Sequence, residues 1–305
     1  MFTPPMDGMI STLGDWLELR VSGGYVHGPS RFGKSRTVKW YLRNLLMERF
    51  KLAIPLVVWI RQEGLLSEGA FWNGLLRASK FKPFDPLKPR SRGAAKILFE
   101  QRLFTLARSA RVNYVVLVID EAHAMTLAEW EWLLGLQNVL DDQGIRLTVF
   151  SIGSHELRFK PDYLARTGNA HIAARFFARD TRFHGIASVE ELGYVLNGYD
   201  IDSEWPRGSG ISYLQYFAPS DFSNSKRLID CSGLLWRAFE ELLPPIIRSQ
   251  KKMSMEIPMQ HLTHTVEQAL RRLGEGGQWS EVMTYPCLLE MIAKTGFTDH
   301  MRMIY

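Results

Sequence analysis

Eight consecutive residues carry the strongest chemical pattern in the chain. Gly28-Pro29-Ser30-Arg31-Phe32-Gly33-Lys34-Ser35 fits the spacing GxxxxGK[ST]. A loop bounded by glycines can turn its backbone N–H groups inward, onto the oxygens of a phosphate chain. A helix starting at the end of that loop adds the positive end of its dipole. Lys34 then reaches the β- and γ-phosphates, and the Ser35 hydroxyl ligates Mg²⁺. Phosphate contacts are expected from Gly28 through Arg36. Arg31 and Phe32 are bulky, at positions the pattern leaves free.

A second pattern lies at Val115–His123, VVLVIDEAH. A buried strand here delivers Asp120 at its carboxyl end, where open α/β sheets bind their ligands. Asp120 is placed to hold Mg²⁺ through water, and Glu121 to polarise an attacking water as general base. His123 completes the letters DEAH, but a helicase needs a second RecA-like domain that this chain is too short to add to a lid. A third run, Thr148 to His155, ends a strand in small polar residues. Ser154 is the favoured group there to sense a γ-phosphate and orient water, with Ser151 as the alternative. A fourth, His171 to Phe183, holds Arg175, Arg179 and Arg182. A guanidinium on it could stabilise a neighbouring subunit's transferring phosphoryl group, and Arg175 is the leading choice.

Between Arg77 and Lys96 basic residues outnumber the single acid, Asp85. Lys80, Lys82, Lys88, Arg90 and Arg92 are candidates to line a nucleic-acid backbone. The net charge of +5 is compatible with that reading without demonstrating it. His261 and His264 stand three apart with no acidic or cysteine partner near in sequence, a poor metal pair.

These groups need a scaffold. Leu19–His27, Ile54–Ile60, Tyr114–Asp120, Arg146–Gly153 and Thr181–Ile186 read as strands. Helical patterns separate them at Lys34–Phe50, Ser67–Ser79, Arg92–Ala110 and His171–Arg179, and Thr126 with Glu129 forms a capping box that opens another. Strands alternating with helices predict a parallel sheet covered on both faces. After about Ser188 helical signals take over, at Val189–Leu196, Ser225–Leu243 and Met259–Leu273, with a loop at Ser203–Ser212. The expected division is an α/β domain over 1–187, a helical lid over 188–273 and a tail over 274–305 that could dock a partner. At 305 residues and 46% hydrophobic content the chain suits such a globular protein. No apolar run is long enough to span a bilayer, and the start lacks a signal-peptide pattern. Two distant cysteines, Cys231 and Cys287, argue against a disulfide framework and for a cytoplasmic setting.

Taken together, GPSRFGKS (Gly28–Ser35), VIDEAHAM (Val118–Met125), SIGSHEL (Ser151–Leu157) and ARFFARDTRFHGI (Ala174–Ile186) resemble AAA+ ATPases. More narrowly, they resemble the transposition regulators of the TnsC, TniB and MuB type. The likeness covers roughly Met9 to Ala187. It implies a three-layer P-loop domain with five parallel strands in the order 5-1-4-3-2, followed by a helical lid. It implies ATP and Mg²⁺ as cofactors, with Lys34 and Ser35 in the phosphate loop, Asp120 and Glu121 at the metal and water site, Ser154 as sensor and Arg175 as the finger acting in trans. It further implies a hexameric ring or helical filament of the protein itself on duplex DNA, gripped by its backbone without sequence preference. A transposase and a target-selector protein are the implied partners, with no membrane. A secretion-associated AAA+ ATPase and a non-hydrolysing nucleotide switch are the competing readings; Glu121 argues against the switch. A lid sensor arginine is not evident, with Arg227 and Arg237 both possible.

Overall fold

The computed structural model describes residues 1–62, 64–248 and 255–304. The chain divides into two compact units. One comprises Gly8–Gly28 and Lys34–Phe183; the other comprises Met1–Asp7, Pro29–Gly33 and His184–Tyr305.

The first unit is built on five parallel strands: β1 (Gly23–His27), β2 (Leu56–Ile60), β3 (Tyr114–Asp120), β4 (Arg146–Gly153) and β5 (Asp180–Arg182). Their order is β2-β3-β4-β1-β5, which is the expected order 5-1-4-3-2 read from the other edge. The central strands β3 and β4 are mostly apolar and buried because both faces are covered. In β3 every residue from Val115 to Asp120 is buried. Seven helices follow the strands or run between them: α2 (Lys34–Trp40), α3 (Leu42–Phe50), α4 (Glu68–Ala78), α5 (Arg92–Ala110), α6 (Leu127–Asp142), α7 (Lys160–Arg166) and α8 (Ala170–Phe176), after α1 (Pro4–Glu18) at the start of the chain.

Several local expectations change. Leu19–Ser22 precede the first strand instead of joining it, and α1 was not foreseen although Met6, Met9, Ile10 and Leu13 recur at helical spacing and are buried. Trp16 of α1 packs tilted against Phe150 of β4, with ring centroids 5.9 Å apart. The helix expected over Lys34–Phe50 is interrupted at Tyr41, yet i→i−4 hydrogen bonds bridge the kink from Tyr41 to Thr37 and from Leu45 to Tyr41. The fifth strand is short: Phe183 N–H still bonds His27 O, but Ile186 instead pairs with Ile257 inside the other unit.

That second unit is helical: α9 (Val189–Asn197), α10 (Tyr213–Phe217), α11 (Pro219–Ser223), α12 (Ser232–Glu241), α13 (Pro245–Arg248), α14 (Met259–Gly274), α15 (Trp279–Val282), α16 (Tyr285–Lys294) and α17 (Phe297–Ile304). The expected helix over Ser225–Leu243 is shortened at its start. The buried Asp200 carboxylate accepts the N–H groups of Leu228 and Ile229 and holds that segment as a turn. The stretch 274–305 does not stand apart as a tail. Leu288, Met291, Ile292, Phe297 and Met301 enter the same core as Leu262, Val266 and Phe239; residue 305 lies outside the described residues.

Candidate phosphate and metal site

β1 ends at His27, and the loop begins where the strand stops. At Gly28 a Cβ would come within 2.5 Å of Phe183 O, so the edge strand leaves room only for glycine. Gly33 has φ 121°, a backbone angle that side chains disfavour, and Arg31 is left-handed at φ 65°. The bulk at Arg31 and Phe32 has a packing reason. Residues Pro29–Gly33 group with the helical unit, where Phe32 is fully buried and Gln260 N–H donates to Arg31 O at 3.2 Å.

α2 starts at Lys34, which is 9% exposed and donates from Nζ to Gly28 O at 2.8 Å. Burial lowers its pKa to about 8, against the opposing pull of Glu121 and Asp120. An ammonium this enclosed favours an anionic partner. Ser35, on the exposed side of the same helix start, hydrogen-bonds the Asp120 carboxylate. Asp120 is 4% exposed at the end of β3. Burial raises its pKa; the bonds from Ser35 and from Glu121 N–H, and the charge of Lys34, oppose that rise. One carboxylate and one hydroxyl side by side suit Mg²⁺, which takes few protein ligands and completes its shell with phosphate oxygens and water.

Glu121 follows in a left-handed conformation, φ 58°, which turns its side chain away from the strand line and leaves it half exposed. His123 Nδ1 lies 3.4 Å from Glu121 Oε2 and 3.5 Å from Ser154 N. The Glu121 loop is held beyond that point too. Thr126 and Glu129 make the expected capping box at the start of α6, and Lys160 Nζ donates to Met125 O at 2.9 Å. Both serines of the β4 run have buried hydroxyls with no partner among the described residues. Ser151 sits within β4, level with Ile119 and Tyr25; Ser154 follows the strand beside His123.

The three arginines are separated. Arg182 is level with His27, at the phosphate-loop end of the sheet. Arg175 is at the other end: its carbonyl accepts from Ser22 Oγ, before β1 begins, and its guanidinium meets Asp141 at 3.4 Å. Five residues of strand, about 16 Å, lie between those ends. Arg175 therefore does not join Lys34 within its own unit. Arg179 is exposed between them, its carbonyl accepting Tyr25 N–H. Lys80, Lys82, Lys88, Arg90 and Arg92 are all exposed, on the connection into α5 and its first residue. Phe81 and Phe84 anchor that connection in the core, Asn73 clasps Arg90 through both backbone groups, and Arg92 meets Glu68 at 3.3 Å. In the helical unit Arg227 is engaged locally, by Phe222 O, Lys226 O and the Phe222 ring. Arg237 is exposed.

One buried group escaped the sequence. Arg61, just past β2, pairs with Glu129 with both side chains fully enclosed. A charged residue at the end of an apolar run was the available signal.

Sheet order, loop and carboxylates together give this unit the AAA+ P-loop fold. Residues 21–160 match the family model described as an AAA domain. Over 94% of its length this chain superposes on the Aeropyrum pernix ORC2 protein, solved as ADPNP–ADP complexes, at a TM-score of 0.55, 11% identity and 67% coverage of that chain. A Walker-type ATPase of Pyrococcus abyssi aligns over 93% of this chain and 87% of its own, at 18% identity and a TM-score of 0.42. No curated protein matches this sequence. Among the described residues, no helix is long and apolar enough to cross a membrane.

Proposed function

We propose that the protein is an ATP-hydrolysing regulator of DNA transposition that assembles on duplex DNA. The observation that carries the nucleotide chemistry is the buried Lys34 beside Asp120 with Ser35 bonded to it. The loop Gly28–Arg36 and Lys34 hold the phosphates of ATP, and Ser35 and Asp120 hold Mg²⁺. An ion held by Ser35 and Asp120 would supply charge neutralisation at the phosphoryl oxygens. Glu121, positioned by His123, accepts a proton from water, and Ser154 orients that water. The solved ADPNP–ADP complexes of the ORC2 protein support an adenine nucleotide.

The role on DNA rests on the exposed basic connection at Lys80–Arg92 and on the resemblance of the four motif stretches to transposition regulators. Arg175, remote from Lys34 in its own unit, is free of its own phosphate loop and suits a finger that acts on a neighbouring copy. A site completed by a neighbour ties hydrolysis to assembly, as a ring or filament. A transposase and a target-selector protein are the partners this role requires.

Electron microscopy of the full chain with a slowly hydrolysed ATP analogue and duplex DNA tests the assembly. Rings or filaments tracking DNA are expected. Single particles with no DNA association at low salt would defeat the DNA role, while nucleotide binding in the same sample would leave the ATPase assignment standing.

A further inference from the structure

Ser30 of the phosphate loop ends a chain of hydrogen-bonded side chains that runs through the helical unit. His300, on α17, places Nε2 3.3 Å from Ser30 Oγ. Its Nδ1 lies 2.9 Å from His261 Nε2, and His261 Nδ1 lies 2.9 Å from Thr295 Oγ1. The Thr295 hydroxyl in turn donates to Ile292 O at 2.6 Å. His261 and His300 are 1% and 6% exposed.

Counting protons gives this chain a direction. A hydroxyl has one proton to donate, and that of Thr295 is spent on Ile292 O. Thr295 Oγ1 therefore accepts from His261 Nδ1–H. A neutral imidazole protonated at Nδ1 accepts at Nε2, so His300 donates its own Nδ1–H to His261. His300 Nε2 is then an acceptor, and it takes the hydroxyl proton of Ser30. Neutrality of both rings is enforced by their surroundings. Burial lowers the pKa of His261 to about 4, and the charge of Arg31 pushes the same way. Burial and Arg31 likewise lower that of His300. The loop residue next to Ser30 sits in the left-handed region, which side chains disfavour, so the backbone there gains from such a hold.

We infer that His300 and His261 are positioning residues for the phosphate loop, holding it through the Ser30 hydroxyl in the shape that receives phosphate. The inference rests on the nucleotide-binding reading. It implies that loosening the relay weakens nucleotide binding and leaves hydrolysis of bound nucleotide alone. One tether of this kind corresponds to roughly a three- to tenfold change in affinity.

The test measures affinity for Mg²⁺-ADP and steady-state ATP hydrolysis on the full chain. Ser30→Ala and His300→Leu are each expected to weaken ADP binding three- to tenfold, and in His300→Leu, outside the loop, kcat stays within about twofold of wild type. Ser30→Thr, which keeps the hydroxyl, restores affinity. The double variant binds no more weakly than either single one, because both remove the same link. Ser30 is exposed, so Ser30→Ala stays informative even where His300→Leu fails to fold. Nitrogen-15 spectra of the histidine rings report the tautomers directly: Nδ1–H is expected on both, and Nε2–H on either overturns the relay. Unchanged affinity in Ser30→Ala overturns it as well. A wild type that binds no nucleotide overturns the nucleotide reading too, whereas a wild type that binds while Ser30→Ala binds equally overturns the relay alone.

Discussion

Arg61 and Glu129 meet through two hydrogen bonds, Nε to Oε1 at 2.8 Å and Nη2 to Oε2 at 3.3 Å, with both side chains fully enclosed. The same arginine donates its backbone N–H to Asp120 O, and the same glutamate accepts from the backbone and hydroxyl of Thr126. The pair thus fastens both ends of the loop that carries Glu121. Removing one partner leaves a buried charge alone, a loss of about 3–5 kcal/mol. Arg61→Met should lower unfolding stability by that order in urea titrations. Arg61→Met with Glu129→Met should cost less than the sum of the singles, since neither charge is then orphaned. A single variant as stable as wild type would falsify the account of the loop as fastened by this pair.

Glu121→Gln keeps the size of the side chain and removes its basicity. Hydrolysis should fall by about 10²- to 10⁴-fold while ATP affinity stays within a few-fold. Ser154→Ala should lower kcat more than Ser151→Ala, because Ser154 adjoins His123 and Glu121. The comparison uses single-turnover hydrolysis alongside nucleotide binding; equal losses at the two serines would remove Ser154 as the sensor.

The Lys34 ammonium has its pKa lowered from 10.5 to about 8, first by burial. Phosphate stabilises the charged form, so nucleotide binding between those values draws a proton onto Lys34. Calorimetry at pH 9 in buffers of different ionisation enthalpy should show net proton uptake, absent in Lys34→Ala. Affinity should fall as pH rises through about 8. Stability follows the opposite sign. The unfolded chain holds more protons on Lys34 from about 8 to 10.5, so the cost of burying the charge, full below that window, is relieved as pH rises across it.

Exposed lysines that meet a phosphate backbone release counterions, so duplex affinity should fall linearly with salt on logarithmic axes. Replacing Lys80, Lys82 and Lys88 together with alanine should weaken binding for all sequences alike and flatten that slope by up to about three. Fluorescence anisotropy at several salt concentrations measures both. An unchanged slope would place the DNA contacts elsewhere.

The residues around Lys34 and Asp120 were legible because each pattern is contained in one short segment. GxxxxGKS sets the backbone of its own loop, and the apolar run before Asp120 buries itself whatever surrounds it. Tyr114–Asp120, Arg146–Gly153 and the Thr126–Glu129 cap stand where those local patterns put them. The α1 helix was not foreseen, although Met6, Met9, Ile10 and Leu13 carry its helical spacing.

What the sequence determined by itself is thus the strands, the turn after β1 and the placing of Asp120 and Glu121 at the end of β3. Only the tertiary structure decided who holds them. Arg61 finds Glu129 across 68 positions, and Ser30 finds His300 across 270. It set Arg175 and Arg182 at opposite ends of the sheet and folded 274–304 into the helical core. Local spacing fixes dihedral angles and hydrogen bonds within a segment. It carries no record of which distant polar group will be enclosed opposite another when the apolar faces close, and that enclosure makes these charges and protons matter.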